Sequence, residues 1–274
     1  MKNALSIDLE DWFCVHNLSG MISIADWDRC DLRVYDSTKR ILRLLSKHDT
    51  KATFFVLGWV AERLPELIKQ VEEAGHEIGV HGYSHLLLTE ISPSEFEADI
   101  EQALTAIAGS GVTQRPIGFR APSFTVVKTT KNWALPILEK FNFKYDSSVF
   151  PIGFHPDYGI VDSPVGPYMI TDDLQEFPLS CLEKFGRRFP FCGGGYFRLL
   201  PYSYTRYCMK KWNQQGRPAM FYLHPWELDP DQPRIKLPFT KRIRHYYNLD
   251  KTEHRLDQLL SEFQFSPVKE VLGL

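Results

Sequence analysis

The sequence predicts an α/β fold, with a parallel sheet and helices outside it, as either a barrel or a doubly wound sheet. Three observations carry that prediction. Short apolar runs of strand length alternate with amphipathic runs of helical period through the first half of the chain. Proline, glycine and serine stand where helices should start and stop. Several strand-like runs end on a charged or imidazole side chain, at the carboxyl edge where such folds gather their active groups.

Taken in order, Ala4–Asp8 reads as a short buried strand. Asp36–Lys47 reads as a helix with Ile41, Leu42, Leu44 and Leu45 on its apolar face and Asp36-Ser37 as its cap. Ala52–Val56 is β-branched and aromatic, as a buried strand should be. Pro65–Ala74 is a helix begun by proline and stopped by Gly75. Glu77–Val80 is the next strand. Ser92–Ile107 is a helix with a serine cap, a first-turn proline and Glu95. Gly118–Phe119 leads into Arg120, and a helix follows over Asn132–Lys140. Residues 150–195 are rich in proline, glycine and aromatics and read as long loops and short strands over the barrel mouth. Gly193-Gly194-Gly195 lacks the spacing of a phosphate loop and reads as a backbone turn. Asp250–Phe263 is an amphipathic helix, and Pro267–Leu272 a last edge strand.

The composition, 43% hydrophobic and 24% charged over 274 residues, is that of a globular protein with a large core. A net charge of −2 gives no electrostatic reason to bind nucleic acid or an anionic membrane. No run is apolar enough to span a bilayer, and the first residues show no signal-peptide pattern. The 5 cysteines are scattered without CxxC spacing and read as reduced thiols, which points to a cytoplasmic protein.

The chemistry sits at strand ends. His81 and His85 lie four apart in His81-Gly82-Tyr83-Ser84-His85, a spacing that lets two imidazoles close on one metal ion, although an isolated pair is more often packed or exposed. Asp8-Leu9-Glu10-Asp11 supplies carboxylates, and His224-Pro225 closes a third apolar run. With Arg120 and Asp146, these residues from distant strand ends can meet at one mouth.

Five motifs in this order resemble the polysaccharide deacetylase family, the NodB-homology carbohydrate esterases. They are Ser6-Ile7-Asp8-Leu9-Glu10-Asp11, His81-Gly82-Tyr83-Ser84-His85, Phe119-Arg120-Ala121-Pro122-Ser123-Phe124, Tyr145-Asp146-Ser147-Ser148 and Tyr222-Leu223-His224-Pro225-Trp226. Gly193–Pro201 and Tyr246–Asp250 further resemble the deacetylases of bacterial exopolysaccharide (PEP-CTERM) loci. The resemblance implies an incomplete (β/α) barrel, read as one domain over residues 1–274, with 150–274 carrying subgroup loops and a C-terminal helix. It also implies a divalent metal, zinc first and cobalt, nickel or iron by donor type, and hydrolysis of an N-acetylated glycan or glycan precursor.

Carried over by motif, His81 and His85 become metal ligands. Asp8 takes the position of the general base and Glu10 that of the carboxylate ligand, with Asp11 as its rival. Arg120 would hold Asp8 through a bidentate contact. His224 would be the general acid and Asp146 its orienting partner. Backbone N–H groups near Ser123 would face the oxyanion. Trp12, Phe124, Tyr196, Tyr222 and Trp226 lie near these segments, His16 and His155 read either as lining the mouth or, more simply, as exposed loop histidines, and Lys241–His245 reads as a solvated helix face. Two other functions stay open: hydrolysis of a non-sugar amide or cyclic imide at the same site, and glycan binding without catalysis.

Overall fold

The computed structural model describes residues 1–153 and 159–274, so His155 lies outside the described residues. The first half keeps the predicted alternation: β1 (Lys2–Leu9), α1 (Val34–Lys47), β2 (Thr53–Val56), α2 (Gly58–Arg63), α3 (Pro65–Glu73) and β3 (Glu77–Val80). It continues through α4 (Pro93–Gly109), β4 (Gly118–Phe119), α5 (Lys131–Lys140) and β5 (Tyr145–Asp146). Then come β6 (Tyr168–Met169), β7 (Gln175–Glu176), the hairpin β8 (Cys181–Lys184) and β9 (Arg187–Pro190), α6 (Gly194–Leu199) and α7 (Tyr202–Gln214). β10 (Met220–Leu223), α8 (Phe239–Tyr246), α9 (Leu249–Glu262), β11 (Gln264–Ser266) and α10 (Val268–Leu272) follow.

One sheet runs β10-β1-β2-β3-β4-β5-β7-β6, with β11 also paired to β1. Neighbours are parallel except β6 and β7. The sheet curls into an open half-barrel with helices outside, the incomplete barrel of the two expected alternatives. Side chains alternate along each strand, as the pleat requires. Leu5, Ile7 and Leu9 of β1 join Phe54, Val56 and Val80 in the outer, helix-facing core. Ala4, Phe55, Tyr145, Met220 and Tyr222 form a second core on the inner face. Asp8 has the parity of that inner face and stands at its carboxyl end.

Two local features explain how the inner face closes. A Cβ on Gly118 would stand 2.0 Å from Tyr145 Cζ, so glycine there lets the Tyr145 ring cross β4 and donate its hydroxyl to Glu77 at 3.0 Å. Residues 267–272, expected as an edge strand, contain helix α10, and the strand comes just before it as β11. The reason is capping. Thr53 Oγ1 accepts the Val268 N–H at 2.8 Å and Glu77 the Lys269 N–H at 3.2 Å, so inner-face acceptors satisfy the first turn of a helix.

The helix starts divide similarly. α4 carries the expected Ser92–Glu95 capping box. α1 begins at Val34, ahead of the expected Asp36-Ser37 cap, because its leading N–H groups are accepted by a distant carboxylate, Asp11. In the proline-rich region, β7 pairs with β5 and extends the main sheet instead of lying over its mouth. No helix among the described residues is long and apolar enough to cross a membrane.

Candidate metal centre

Glu10, His81 and His85 follow the ends of β1 and β3, and one potential ligand atom from each lies within 4.8 Å of the others. His81 Nδ1 is 2.8 Å from the Arg120 carbonyl oxygen. A carbonyl only accepts, so Nδ1 carries the proton and Nε2 keeps its lone pair toward the cluster. Burial holds His81 down at about 4 and His85 well below the usual imidazole range, so both rings are neutral donors. His16 lies near enough to His85 to disfavour charge there further.

Glu10 Oε2 lies 3.1 Å from His85 Nε2, yet it is buried and accepts no hydrogen bond from any described residue. Burial pushes the Glu10 carboxyl up to about 8, with Asp8 and Glu227 adding to the push against His224. A buried carboxylate oxygen without a donor, facing two neutral imidazoles, is a donor set that fits a divalent cation.

Asp11 is not part of this cluster. Its Oδ1 accepts the Trp12 N–H at 2.8 Å, and its Oδ2 those of Arg33 and Val34 at 2.8 and 2.9 Å. Of the two neighbouring carboxylates, Glu10 is the one that lies in the cluster with His81 and His85. Burial leads the Asp11 carboxyl up to about 6 despite those three bonds.

Asp8 Oδ1 accepts from Arg120 Nη1 at 2.6 Å. The pairing uses one guanidinium nitrogen, not the expected bidentate fork. The other donors of Arg120 are spent on the Ser6 hydroxyl at 2.7 Å and on the Ser147 carbonyl and hydroxyl at 3.0 and 2.8 Å. The cation also sits 4.2 Å above the Phe55 ring. Asp8 Oδ2 is left facing His224 Nε2 at 3.8 Å.

His224 follows β10, and its Nε2 is 3.5 Å from Glu10 Oε1. Its expected partner, Asp146, is engaged elsewhere. Asp146 accepts the Ser148 hydroxyl through Oδ1 and pairs with Glu176. Burial raises both carboxyls, and Glu176 rises further beside the Asp146 charge. Asp146 Oδ2 and Glu176 Oε2 lack any other donor, so a proton shared between the two acids satisfies both.

The group against His224 Nδ1 is instead Glu227, at 3.0 Å. Its Oε2 also accepts the His224 N–H at 3.0 Å, and its Oε1 the Nε–H of Arg198 at 2.8 Å. Burial opposes the imidazolium, but Glu227, Glu10 and Asp8 outweigh it and push His224 up to about 9. Burial likewise opposes the Glu227 carboxylate, while Arg198 and His224 draw it down to about 2. The sequence held a signal for Glu227. It stands three residues after His224 with Pro225 between them, the spacing of a capping box, and that box forms.

The aromatics divide by role. Trp226 stacks on His224 with centroids 5.3 Å apart, and Phe124 meets Tyr222 at 4.9 Å. Trp12 is buried, its indole N–H on the Asp31 carbonyl. Ser123 and Phe124 both take left-handed backbone angles, φ 52° and 56°. Consecutive non-glycine residues there store strain of order 1 kcal/mol each beside the site.

Residues 26–145 match the polysaccharide deacetylase family, and residues 147–273 match a domain of unknown function, DUF3473. The first segment thus belongs to the polysaccharide deacetylase family. A peptidoglycan-N-acetylglucosamine deacetylase of Bacillus cereus is 36% identical over 100 residues, 35% of this chain and 35% of that protein. A peptidoglycan deacetylase of Helicobacter pylori is 32% identical over 119 residues, 43% and 39% of the two chains. The matched region spans little more than a third of these relatives.

Among solved structures, a Mycobacterium smegmatis protein designated a polysaccharide deacetylase aligns with TM-score 0.62 and 20% identity, covering 99% of this chain and 90% of that one. A family 4 carbohydrate esterase of Streptomyces lividans aligns with TM-score 0.53 and 14% identity, covering 97% and 91%. So does a family 4 pseudoenzyme of Bacillus anthracis, at TM-score 0.53 and 15% identity, covering 99% and 65%. The fold is shared by enzyme and pseudoenzyme alike, so function must be argued from the side chains.

Proposed function

We propose that this chain is a divalent-metal-dependent hydrolase that removes acetyl from an N-acetylated sugar. The observation that carries the reading is the Glu10–His81–His85 donor set, with Asp8 and His224 beside it. Those three residues would hold the metal. A cation there supplies Lewis-acid polarisation of an amide carbonyl and of the attacking water. Zinc is the metal we assign, since two imidazoles and a carboxylate with open positions are its usual hydrolytic set.

The chain's own groups divide the protons. Asp8, anchored on Arg120, takes one from water as its oxygen adds to the acyl carbon. The C–N bond then breaks with its electron pair on nitrogen, which takes a proton from His224 Nε2. Acetate and a free amine are the products, and both groups are reset when His224 regains a proton and Asp8 loses one.

We assign as substrate an exopolysaccharide or its precursor, on the likeness of Gly193–Pro201 and Tyr246–Asp250 to the deacetylases of such loci. We also take the two matched segments as one working domain, a reading supported by one continuous sheet in which β1 joins β10 to β2 and β5 pairs with β7. The test is metal content of the purified protein, then acetate release from N-acetylated chitooligosaccharides with and without chelator. Chelator-sensitive release supports the reading. Bound metal without release favours another amide as substrate. Glycan binding with neither metal nor release would leave a binding protein.

A further inference from the structure

The segment matched only to a domain of unknown function holds the proton-donor side of the site. His224, Trp226, Glu227, Arg198 and His245 all lie within residues 147–273, while His81, His85 and Arg120 lie within 26–145. The second set of side chains is built as one unit. Glu227 is 1% exposed and Arg198 1%, which is rare for charged groups unless they are fully paired. Glu227 grips both the ring and the backbone N–H of His224, each at 3.0 Å. Arg198 gives its Nε–H to Glu227 at 2.8 Å. Its other nitrogens donate to the carbonyls of His245 at 3.1 Å, Tyr247 at 2.9 Å and Arg244 at 2.8 Å, at the end of α8.

The face of the histidine is fixed as well as its edge. Trp226 stacks on His224 at 5.3 Å and on His245 at 4.6 Å, nearly parallel to the latter at 11°. α6 leaves room for this. A Cβ on Gly194 would stand 1.7 Å from Glu227 Oε2, so glycine is needed where α6 passes the carboxylate. The result is an imidazole whose Nδ1 side is occupied and whose Nε2 is aimed at Glu10 and Asp8, 3.5 and 3.8 Å away.

We infer that Glu227, locked by Arg198, is the positioning residue of His224, and that the segment 147–273 serves this protein by delivering the proton donor to the metal-binding half. The inference rests on the reading of His224 as the group that protonates the departing nitrogen. Asp146, where that partner was expected, is outside the arrangement because its carboxyl is shared with Glu176.

A leaving group that needs no proton separates positioning from general damage. Glu227→Gln, His224→Ala and wild type are compared on N-acetylated chitooligosaccharide and on 4-nitrophenyl acetate, with metal content measured for each. The expected result is a fall of about 10²-fold or more in kcat for the glycan amide in Glu227→Gln, with KM within a few-fold. Aryl acetate turnover and metal content stay at wild-type levels. Equal losses on both substrates, or no loss on the amide, overturn the proposal. If His224→Ala keeps full amide turnover, the proton-donor reading falls and this inference with it. If His224→Ala is inactive on the amide while Glu227→Gln is not, only the inference falls. Should Glu227→Gln fail to fold, Glu227→Gln with Arg198→Met removes both buried charges together, and the same substrate split is required of it.

Discussion

His81 Nδ1 and the Arg120 carbonyl oxygen, 2.8 Å apart, tie the Glu10–His81–His85 cluster to Asp8 through one residue. The Arg120 backbone sets the tautomer of His81, a proposed ligand, while its guanidinium holds Asp8 at 2.6 Å. Neither group is adjustable, because Arg120 is fully buried and its donors are spread over Ser6, Asp8 and Ser147.

Arg120→Met keeps the backbone carbonyl and removes the cation. Metal binding should persist, since His81 loses nothing. Turnover should drop at least 10²-fold because Asp8 loses its anchor. Stability should fall by about 3–5 kcal/mol, as breaking a buried pair leaves one charge uncompensated. Thermal unfolding and metal content on one preparation check both halves, and a metal-free but stable variant would contradict this division of labour.

Glu10 and Asp11 are neighbours with separate duties, and paired substitutions should tell them apart. Glu10→Ala should lose bound metal and, compared with metal-free wild type, retain the folding midpoint or raise it, since a buried orphan oxygen is removed. Asp11→Ala should bind metal normally and lose about 1–3 kcal/mol, because three backbone N–H groups lose their acceptor. Metal analysis and denaturant midpoints give the two readouts. The reverse pattern would restore Asp11 as the ligand.

How much of this could be read from the chain depends on range. The strands and helices of the first half rest on local period and local caps, and β1 to β4 stand where those patterns put them. Asp8, Glu10, His81, His85, Arg120 and His224 converge because each lies at or beyond the carboxyl end of a parallel strand, a rule of topology and not of contact. What stayed hidden was set by long-range partners. Asp11 caps a helix 23 residues away, Thr53 and Glu77 turn residues 268–272 into a helix, and Arg198 reaches Glu227 across 29 residues. The pairing of Asp146 with Glu176 was not legible, because Glu176 lies in a proline-rich stretch whose pairing with β5 no periodicity announces.

His76 gives a pH signature remote from the metal ligands. Burial holds its imidazole down at about 4, and Nδ1 accepts the Ala52 N–H at 3.2 Å, a bond that protonation destroys. The unfolded chain binds this proton near 6.5, so the stability it contributes is present above that value and lost as pH falls toward 4. The full swing is of order 3 kcal/mol. Urea midpoints from pH 7 to pH 4 should show a shallower acid loss in His76→Gln than in wild type. Parallel curves would mean that His76 is not the source.

The buried Asp146–Glu176 pair should act with the opposite sign. Both carboxyls are raised, so their contribution is complete below the ordinary carboxylate range and fades as pH rises through their folded values. At alkaline pH the shared proton is lost and two like charges face each other away from water. Glu176→Gln offers an amide N–H in place of that proton and keeps an oxygen for the Val149 N–H, now accepted by Glu176 Oε1 at 3.0 Å. Its thermal midpoint should therefore match wild type in acid and exceed it increasingly above neutrality. Asp146 would then read as the buried structural partner of Glu176 and not as the partner of His224. The accompanying check is turnover: Asp146→Asn, which likewise ends the repulsion, should retain most activity on the glycan amide where Glu227→Gln does not. A loss in Asp146→Asn equal to that of His224→Ala would return Asp146 to the reaction.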